Sequence, residues 1–184
     1  PDGERAHYSK RTVDIEYEYP FGQKELYGLA YRGDFDLKNH MGLSGQDLRY
    51  TDTESSEKFI PHVIEPTWGV DRSALVAMLE AYHEEEAPTA EEGESATRMV
   101  MKFPKWLAPV KVAVLPLSKK EELIKFAKPI FDTLSKEFVC EYDETQSIGK
   151  RYRRQDEVGT PLVVTVDFES LEDKKVTLRD RDTM

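Results

Sequence analysis

Residues 59–72 read FIPHVIEPTWGVDR, and this stretch decides how the first part of the chain folds. The β-branched and aromatic content of residues 59–64 predicts a strand. Residues 66–69 combine proline and glycine in the manner of a tight turn. Asp71 stands where a helix N-cap is expected, and the apolar side chains of residues 72–83 recur at helical spacing. The stretch therefore predicts a strand, a turn and an amphipathic helix.

Polar residues in and before this stretch have the chemistry to surround a small amino-acid ligand. They are Glu25, Arg32, Glu65, Thr67 and Arg72. An acid pairs with an ammonium group and an arginine with a carboxylate, and such charge-assisted hydrogen bonds are about twice as strong as neutral ones. An arginine at a helix start can also stack on an adenine ring. Singly, each is more often an ordinary structural residue than a ligand contact, so the argument depends on their combination. The strand pattern predicts that Glu65 is buried.

Composition excludes several classes of protein. The chain has 184 residues, 39% of them hydrophobic, which allows one large or two small domains. The single cysteine, Cys140, cannot form an internal disulfide, and the four scattered histidines show no zinc-binding spacing. No apolar run is long enough to cross a membrane. A net charge of −10 argues against a general nucleic-acid coat protein.

The remaining pattern predicts two domains joined near residues 97–108. The first contains strands at residues 12–19, 25–31 and 59–64 and a short helix at 34–45. An acidic stretch, residues 83–97, predicts a mobile loop. The second contains strands at 111–117, 138–142, 162–168 and 176–179, a helix opened by a capping box at Ser118–Glu121 and kinked at Pro129, and a basic helix or loop at 146–157. This alternation predicts an α/β sandwich on a mixed sheet.

Residues 150–154, KRYRR, form the one dense basic patch of the sequence. Lysine and arginine bind phosphate and tyrosine can stack on a base, so single-stranded or loop RNA is a plausible ligand. An amphipathic helix whose basic face is balanced by Asp156 and Glu157 explains the pattern equally well. No P-loop and no G-x-S-x-G nucleophile elbow is found.

Several stretches, in order, resemble the C-terminal half of bacterial homodimeric glycyl-tRNA synthetases, which are class II enzymes. The stretches are residues 7–22, 24–40, 63–72, 108–120, 143–161 and 176–184. The resemblance implies an α+β architecture. Residues 1–105 are expected to be the C-terminal part of the class II catalytic domain, an antiparallel sheet with motif 3 and the acidic loop. Residues 106–184 are expected to be an α/β anticodon-binding domain with a mixed sheet, cut short at its C-terminus.

The same resemblance implies a role for individual residues. The expected glycine-binding residues are Arg32, Glu65, Pro66, Thr67, Trp68 and Gly69. The expected ATP-binding residues are Glu25, Leu26, Gly69, Val70, Asp71 and Arg72, with Arg72 stacked on adenine. The expected anticodon contacts are Lys150, Arg151 and Arg154. The family usually has serine at Thr67 and a smaller residue at Trp68, so the indole is expected to crowd or cap the pocket.

The implied reaction joins glycine to ATP as an adenylate, with Mg²⁺ and without zinc, and then passes glycine to tRNA(Gly). A cytoplasmic homodimer without membrane contact is implied. Motifs 1 and 2 are expected upstream of Pro1, so the chain alone is expected not to aminoacylate. The alternative is a non-catalytic, synthetase-like accessory subunit that binds nucleic acid. Such proteins are expected to lose the ligand-binding acid and arginine, which are present here as Glu65 and Arg32.

Overall fold

The computed structural model describes residues 6–88 and 95–184. These residues form two compact units that divide between Val76 and Ala77. The division precedes the domain boundary expected between residues 105 and 106, and each unit is described separately below.

The first unit contains a three-stranded antiparallel sheet, a short two-stranded ribbon and two helices. Its elements are β1 (Arg11–Tyr19), β2 (Gly22–Gly33), α1 (Phe35–Ser44), β3 (Tyr50–Thr51), β4 (Lys58–Phe59), β5 (Val63–Trp68) and α2 (Val70–Ala81), the last of which runs past the division. The sheet order is β1-β2-β5, while β3 pairs with β4. The strands predicted at 12–19 and 25–31 and the helix predicted at 34–45 are confirmed.

Side chains alternate between the two faces of the β1-β2-β5 sheet, as the pleat requires. Strand pairing aligns Asp14 with Gly28, Gly28 with Thr67, and Ala30 with Glu65, so these residues share a face that is polar or lined by small side chains. We call it the polar face. The opposite, apolar face carries Val13, Ile15, Tyr27, Leu29, Tyr31, Ile64, Pro66 and Trp68.

Strand β2 contains two irregularities that matter for the site. Glu16 pairs with Glu25 and Ile15 with Tyr27, which leaves Leu26 as an extra residue. The pairing with β5 likewise skips Arg32. Such β-bulges bend a strand and redirect side chains, and they are frequent beside functional sites.

The strand and helix of residues 59–72 are displaced from their predicted bounds. β5 continues through Pro66 to Trp68, where a turn was expected, and α2 begins at Val70, so Asp71 lies inside the helix. Proline is tolerated because β5 has one neighbour, β2, among the described strands, and an edge position does not require every N–H.

The second unit is built on a four-stranded mixed sheet, which confirms the predicted α/β arrangement. Its elements are β6 (Tyr82–Pro88), β7 (Ser95–Met101), β8 (Val112–Pro116), α3 (Glu121–Leu134), β9 (Cys140–Tyr142), α4 (Ile148–Val158), β10 (Leu162–Val166), α5 (Glu169–Asp173) and β11 (Thr177–Asp180). The sheet order is β11-β10-β8-β9, with β8 parallel to both β9 and β10.

Two helices cover the opposite faces of this sheet. Leu123 and Ala127 of α3 pack on Val112 and Val114, whereas α4 packs on the other side of β8. The predicted capping box is absent, because the N-cap of α3 is Lys120, two residues after Ser118, and no side chain caps the helix. The Ser118 hydroxyl is buried without a hydrogen-bond partner among the described residues.

The acidic stretch is partly a β-hairpin and not the predicted loop. Strands β6 and β7 pair antiparallel from Tyr82–Met101 to Pro88–Ser95, while residues 89–94 lie outside the described structure. Arg98 of β7 explains why dense glutamate is compatible with a strand. Its buried guanidinium donates to the Glu85 carboxylate beside it and, at 2.9 Å, to Asp156 of α4. No described helix is long and apolar enough to cross a membrane.

Candidate functional site

The polar face brings together Arg32 and Glu65, which lie 33 residues apart in sequence. The Nη1 group of Arg32 donates to Glu65 Oε2 at 2.6 Å across β2 and β5. The Glu65 side chain is 44% exposed, so the buried carboxylate expected from the strand pattern is half-open to solvent. An acid and an arginine therefore stand side by side where a small zwitterion could reach both.

Arg32 itself is held firmly. Its Nε and Nη2 atoms each donate to one oxygen of Asp36, both at 2.7 Å, in a bidentate pair. The centre of the guanidinium lies 3.9 Å from the Tyr8 ring centroid, a close cation–π contact. The hydrogen bond from Arg32 lowers the pKa of Asp36, and the same bond raises the pKa of Arg32.

Thr67 lies beside this pair on the same face, next to residues with little or no side chain. Its cross-strand neighbour is Gly28, and Glu65 faces Ala30. A β-carbon at Gly28 would lie 3.4 Å from Glu25 Oε1 and 3.9 Å from Asp14 Oδ1. The centre of the polar face is therefore shallow, with acids around it.

Glu25 and Arg72 lie together at the other end of this face. Arg72 Nη1 donates to the backbone oxygen of Glu25 at 2.8 Å and lies 3.7 Å from Glu25 Oε1. A β-carbon at Gly69 would rest 3.7 Å from the aliphatic part of Arg72. The Arg72 side chain is half-exposed, so its cation is accessible from solvent.

Two of the predicted glycine-binding side chains do not lie on the polar face. The pleat places Pro66 and Trp68 on the apolar face, opposite Glu65 and Thr67. Trp68 is aligned with Tyr27, their rings 6.1 Å apart, and its side chain is mostly exposed. The indole therefore lies on the opposite face of the sheet from the Arg32–Glu65 pair.

The remaining predicted ATP-site residues cluster around the same end. Leu26 is the half-buried bulge residue beside Glu25. Val70 and Asp71 form the first turn of α2, with Val70 strongly exposed, and both precede Arg72. Within residues 6–88 and 95–184, no three His, Cys, Asp or Glu side chains are grouped so as to hold a metal ion.

The predicted basic patch lies on α4, which turns some of its cations inward and others toward solvent. Arg151 is buried, and its guanidinium donates to the backbone oxygens of Pro116, Leu117 and Asp143 at 2.5–3.0 Å. Burial lowers the pKa of this guanidinium. Arg151 thus fastens the carboxyl ends of β8 and β9 together, and its expected role as an anticodon contact does not fit its position.

The other cations of the patch reach solvent to different degrees. Lys150 and Arg153 are exposed. Arg154 is partly exposed and donates to the Asp143 carboxylate and to the backbone oxygen of Thr145. Lys150 and Arg153 are therefore the cations of the patch that are most open to a phosphate.

Sequence reasoning missed the supports of the site, above all Asp36 and Tyr8. The spacing of four residues between Arg32 and Asp36 is no signal in itself, because Arg32 lies on β2 and Asp36 on α1, so the pair is not on one helix. Tyr8 carried no signal either, because its contact with Arg32 depends on the tertiary structure.

Comparison with known proteins agrees with both units. A family profile described as "Anticodon binding domain" matches residues 111–184. The chain is 55% identical over 183 residues to a glycine–tRNA ligase of Macrococcus caseolyticus, and the match covers 100% of this chain. It is 56% identical over 181 residues, or 98% of its length, to that of Ruminiclostridium cellulolyticum. The chain spans 38% of the length of either relative.

Proposed function

We propose, because this chain belongs to the glycine–tRNA ligase family, that it supplies one wall of a glycyl-adenylate site and a surface for tRNA(Gly). An oxygen of the glycine carboxylate attacks the α-phosphorus of ATP, which forms the mixed anhydride and releases pyrophosphate. A ribose hydroxyl at the 3′ end of the tRNA then attacks the glycyl carbonyl, and AMP leaves.

The observation that carries this proposal is the Arg32–Glu65 pair on the polar face. Arg32 is the partner for the glycine carboxylate, while Glu65 and the hydroxyl of Thr67 are acceptors for its ammonium group. The neighbouring positions Gly28 and Ala30 add almost no side chain. A ligand whose own side chain is a hydrogen atom suits a face of this kind.

ATP is proposed to lie at the Glu25–Arg72 end, with its adenine stacked on the solvent-accessible Arg72 guanidinium. Leu26 and Gly69 would line the same end, and the first turn of α2, with Val70 and Asp71, would border it. ATP enters as its Mg²⁺ complex, which is a substrate. The hydrogen bond from Arg72 to the backbone of Glu25 fixes the cation at the surface before the nucleotide arrives.

These residues act by placing reactants, and none of them forms a covalent bond. Arg32 and Glu65 hold the two charged ends of glycine, so one carboxylate oxygen is presented to the α-phosphorus. Such placement can contribute about 7–11 kcal/mol toward lowering a bimolecular barrier. An arginine beside the reacting carboxylate also offsets negative charge on the neighbouring phosphate oxygens.

The exposed cations of α4 are proposed as tRNA contacts. Lys150 and Arg153 are exposed, and Arg154 is positioned by Asp143. The match of residues 111–184 to an anticodon-binding profile supports this assignment. Residues 1–105 are proposed as part of the catalytic domain and residues 106–184 as the anticodon-binding domain. A cytoplasmic homodimer is the proposed form.

The glycine site is tested by glycine-dependent exchange of pyrophosphate into ATP, measured on the complete gene product. Glu65→Gln should lower kcat/KM for glycine by about 10–100-fold, since a hydrogen bond to a charged group is worth about 1.5–3 kcal/mol. The control is Glu57→Gln, an exposed glutamate between β3 and β4. Equal activity of the two variants would remove Glu65 from the site.

The RNA surface is tested by the salt dependence of tRNA(Gly) binding. Lys150→Ala/Arg153→Ala should weaken binding and reduce the slope of log K against log salt by about 1–2. Lys128→Ala/Lys136→Ala is the control, because both lysines are exposed in or just after α3, which covers the opposite face of the sheet. Identical slopes for both double variants would contradict the assignment.

A further inference from the structure

Asp36 and Tyr8 determine how Arg32 is presented on the polar face. Of the five N–H groups of a guanidinium, Asp36 accepts those of Nε and Nη2, and Glu65 accepts one from Nη1. One N–H on each Nη atom is left over among the contacts of the described residues. A substrate carboxylate can accept hydrogen bonds from these N–H groups in a defined direction only if the plane of the guanidinium is fixed.

That plane is held from below and from the side. The Tyr8 ring centroid lies 3.9 Å from the central carbon of the guanidinium. The Asp36 carboxylate accepts hydrogen bonds from Nε and Nη2 at 2.7 Å. Tyr8 is supported in turn by edge contact with His7 at 5.3 Å and by Phe35 at 6.5 Å. The Arg32 side chain is only 18% exposed as a result.

The backbone places Asp36 at this distance. Gly33 adopts φ +63, which turns the chain from β2 into α1, and a β-carbon there would lie 2.7 Å from Lys10 Cε. Asp36 then falls in the first turn of α1, four residues after Arg32. The neighbouring Asp34 pairs with Lys38 at 2.5 Å and lies 4.0 Å from Lys10.

We infer that Asp36 is a positioning residue, supported by Tyr8, that orients Arg32 for the carboxylate of the amino-acid substrate. Asp36 also neutralises part of the charge of Arg32. Glu65 can therefore accept a hydrogen bond from the ammonium group of the substrate as well as from the arginine. An asparagine in place of Asp36 keeps the shape but offers only one acceptor, and the bidentate grip is lost. This inference rests on the proposed glycine-activating function.

The test is glycine-dependent pyrophosphate exchange by the complete gene product, with KM determined separately for glycine and ATP. Asp36→Asn should raise the glycine KM about tenfold and leave the ATP KM within about twofold. Asp34→Asn is the matched control: it makes the same charge change two residues away and has no contact with Arg32. Its glycine KM should equal that of the wild type.

A second pair of variants tests the ring independently of charge. Tyr8→Leu should raise the glycine KM, and Tyr8→Phe, which keeps the ring, should restore it toward the wild-type value. This pair decides the matter if Asp36→Asn does not fold. An unchanged glycine KM in Asp36→Asn or Tyr8→Leu overturns the inference, and so does a parallel rise in both KM values together with a lower Tm. A wild type without glycine-dependent exchange overturns the proposed function itself.

Discussion

Asp156 is the centre of a buried charge cluster, and its removal should destabilise the second unit strongly. Its side chain is 4% exposed and accepts from Arg98 Nη1 at 2.9 Å and from both Nη atoms of Arg179 at 2.8 and 3.0 Å. In Asp156→Ala, two guanidinium groups that are themselves nearly buried lose this carboxylate. Arg98 keeps Glu85 and a backbone oxygen as acceptors.

The expected loss follows from the burial of the pair. Removing one partner of a buried ion pair costs about 3–5 kcal/mol, because the remaining charge stays desolvated. A total stability of about 5–15 kcal/mol makes this a large share. With a urea m-value of about 2 kcal/mol/M, the unfolding midpoint should fall by about 1.5–2.5 M.

Urea unfolding followed by far-UV circular dichroism measures this shift, with Glu157→Gln as the control. Glu157 is the next residue on α4 and is exposed, so its change should stay within about 0.5 kcal/mol. Replacing the whole cluster, as Arg98→Met/Asp156→Leu/Arg179→Met, should recover much of the loss, because no charge is then left buried without a partner. A shift below about 0.5 M for Asp156→Ala would refute the reasoning.

Four further substitutions test other parts of the second unit by the same measurement. Gly159→Ala should cost more than about 2 kcal/mol, because φ is +86 and a β-carbon would lie 2.6 Å from a backbone oxygen; Gly149→Ala in the same helix, with open space around it, should stabilise by up to about 1 kcal/mol. Equal effects of the two would contradict this. Burial alone would raise the pKa of Asp143, but hydrogen bonds from Arg154 and a nearby threonine outweigh it and lower that pKa. Asp143 therefore stabilises the fold above its unfolded pKa of about 3.9, and this stability is lost as pH falls through the lower folded value; Asp143→Asn should flatten the decline in that acidic window, and an unchanged decline would count against it. Ser118→Ala should raise the free energy of unfolding by about 1 kcal/mol, since it removes a buried hydroxyl without a partner in the described part of the chain, and a loss would show that the hydroxyl is satisfied.

The second unit was largely predictable because its central strands, β8 and β10, are almost completely buried. The apolar run that forms β8 has every residue buried, and burial on both faces leaves a continuous hydrophobic signal. The hairpin β6–β7 was not predictable from composition. Glu85 pairs with Arg98, its cross-strand neighbour on β7, and with Lys102 just after β7, 13 and 17 residues further along the chain, and charge density alone does not predict these pairs.

The position of Arg151 was also not predictable from the pattern of charges. A run of cations is normally a solvated face, yet one member of this run is buried against three backbone oxygens. Only the packing of α4 on β8 decides which of the cations turns inward. The predicted capping box at Ser118 was also wrong, because the N-cap of α3 lies at Lys120 and its first helical residue is Glu121.

The chemistry of the side chains singled out Arg32 and Glu65 in the sequence, and the family resemblance supplied their expected roles. Arg32 and Glu65 are polar residues on different strands, and periodicity alone cannot reveal that they pair. Trp68 lies on the opposite face from Thr67, because successive side chains of a strand point to opposite faces. The sequence predicted a turn from Pro66 onward, so this alternation of faces was not expected there.

Arg181 closes the second unit long after its first strands have been made. Its buried guanidinium donates to the backbone oxygens of Met101, Phe103 and Gly159, and its own carbonyl accepts from Arg98, 83 residues earlier. On the ribosome, the Arg98 guanidinium therefore lacks two of its acceptors, the Asp156 carboxylate and the Arg181 carbonyl, until residues 156 and 181 have left the exit tunnel. A nascent chain arrested with residues 179–181 still inside the tunnel should remain sensitive to protease, and emergence of these residues should protect the second unit.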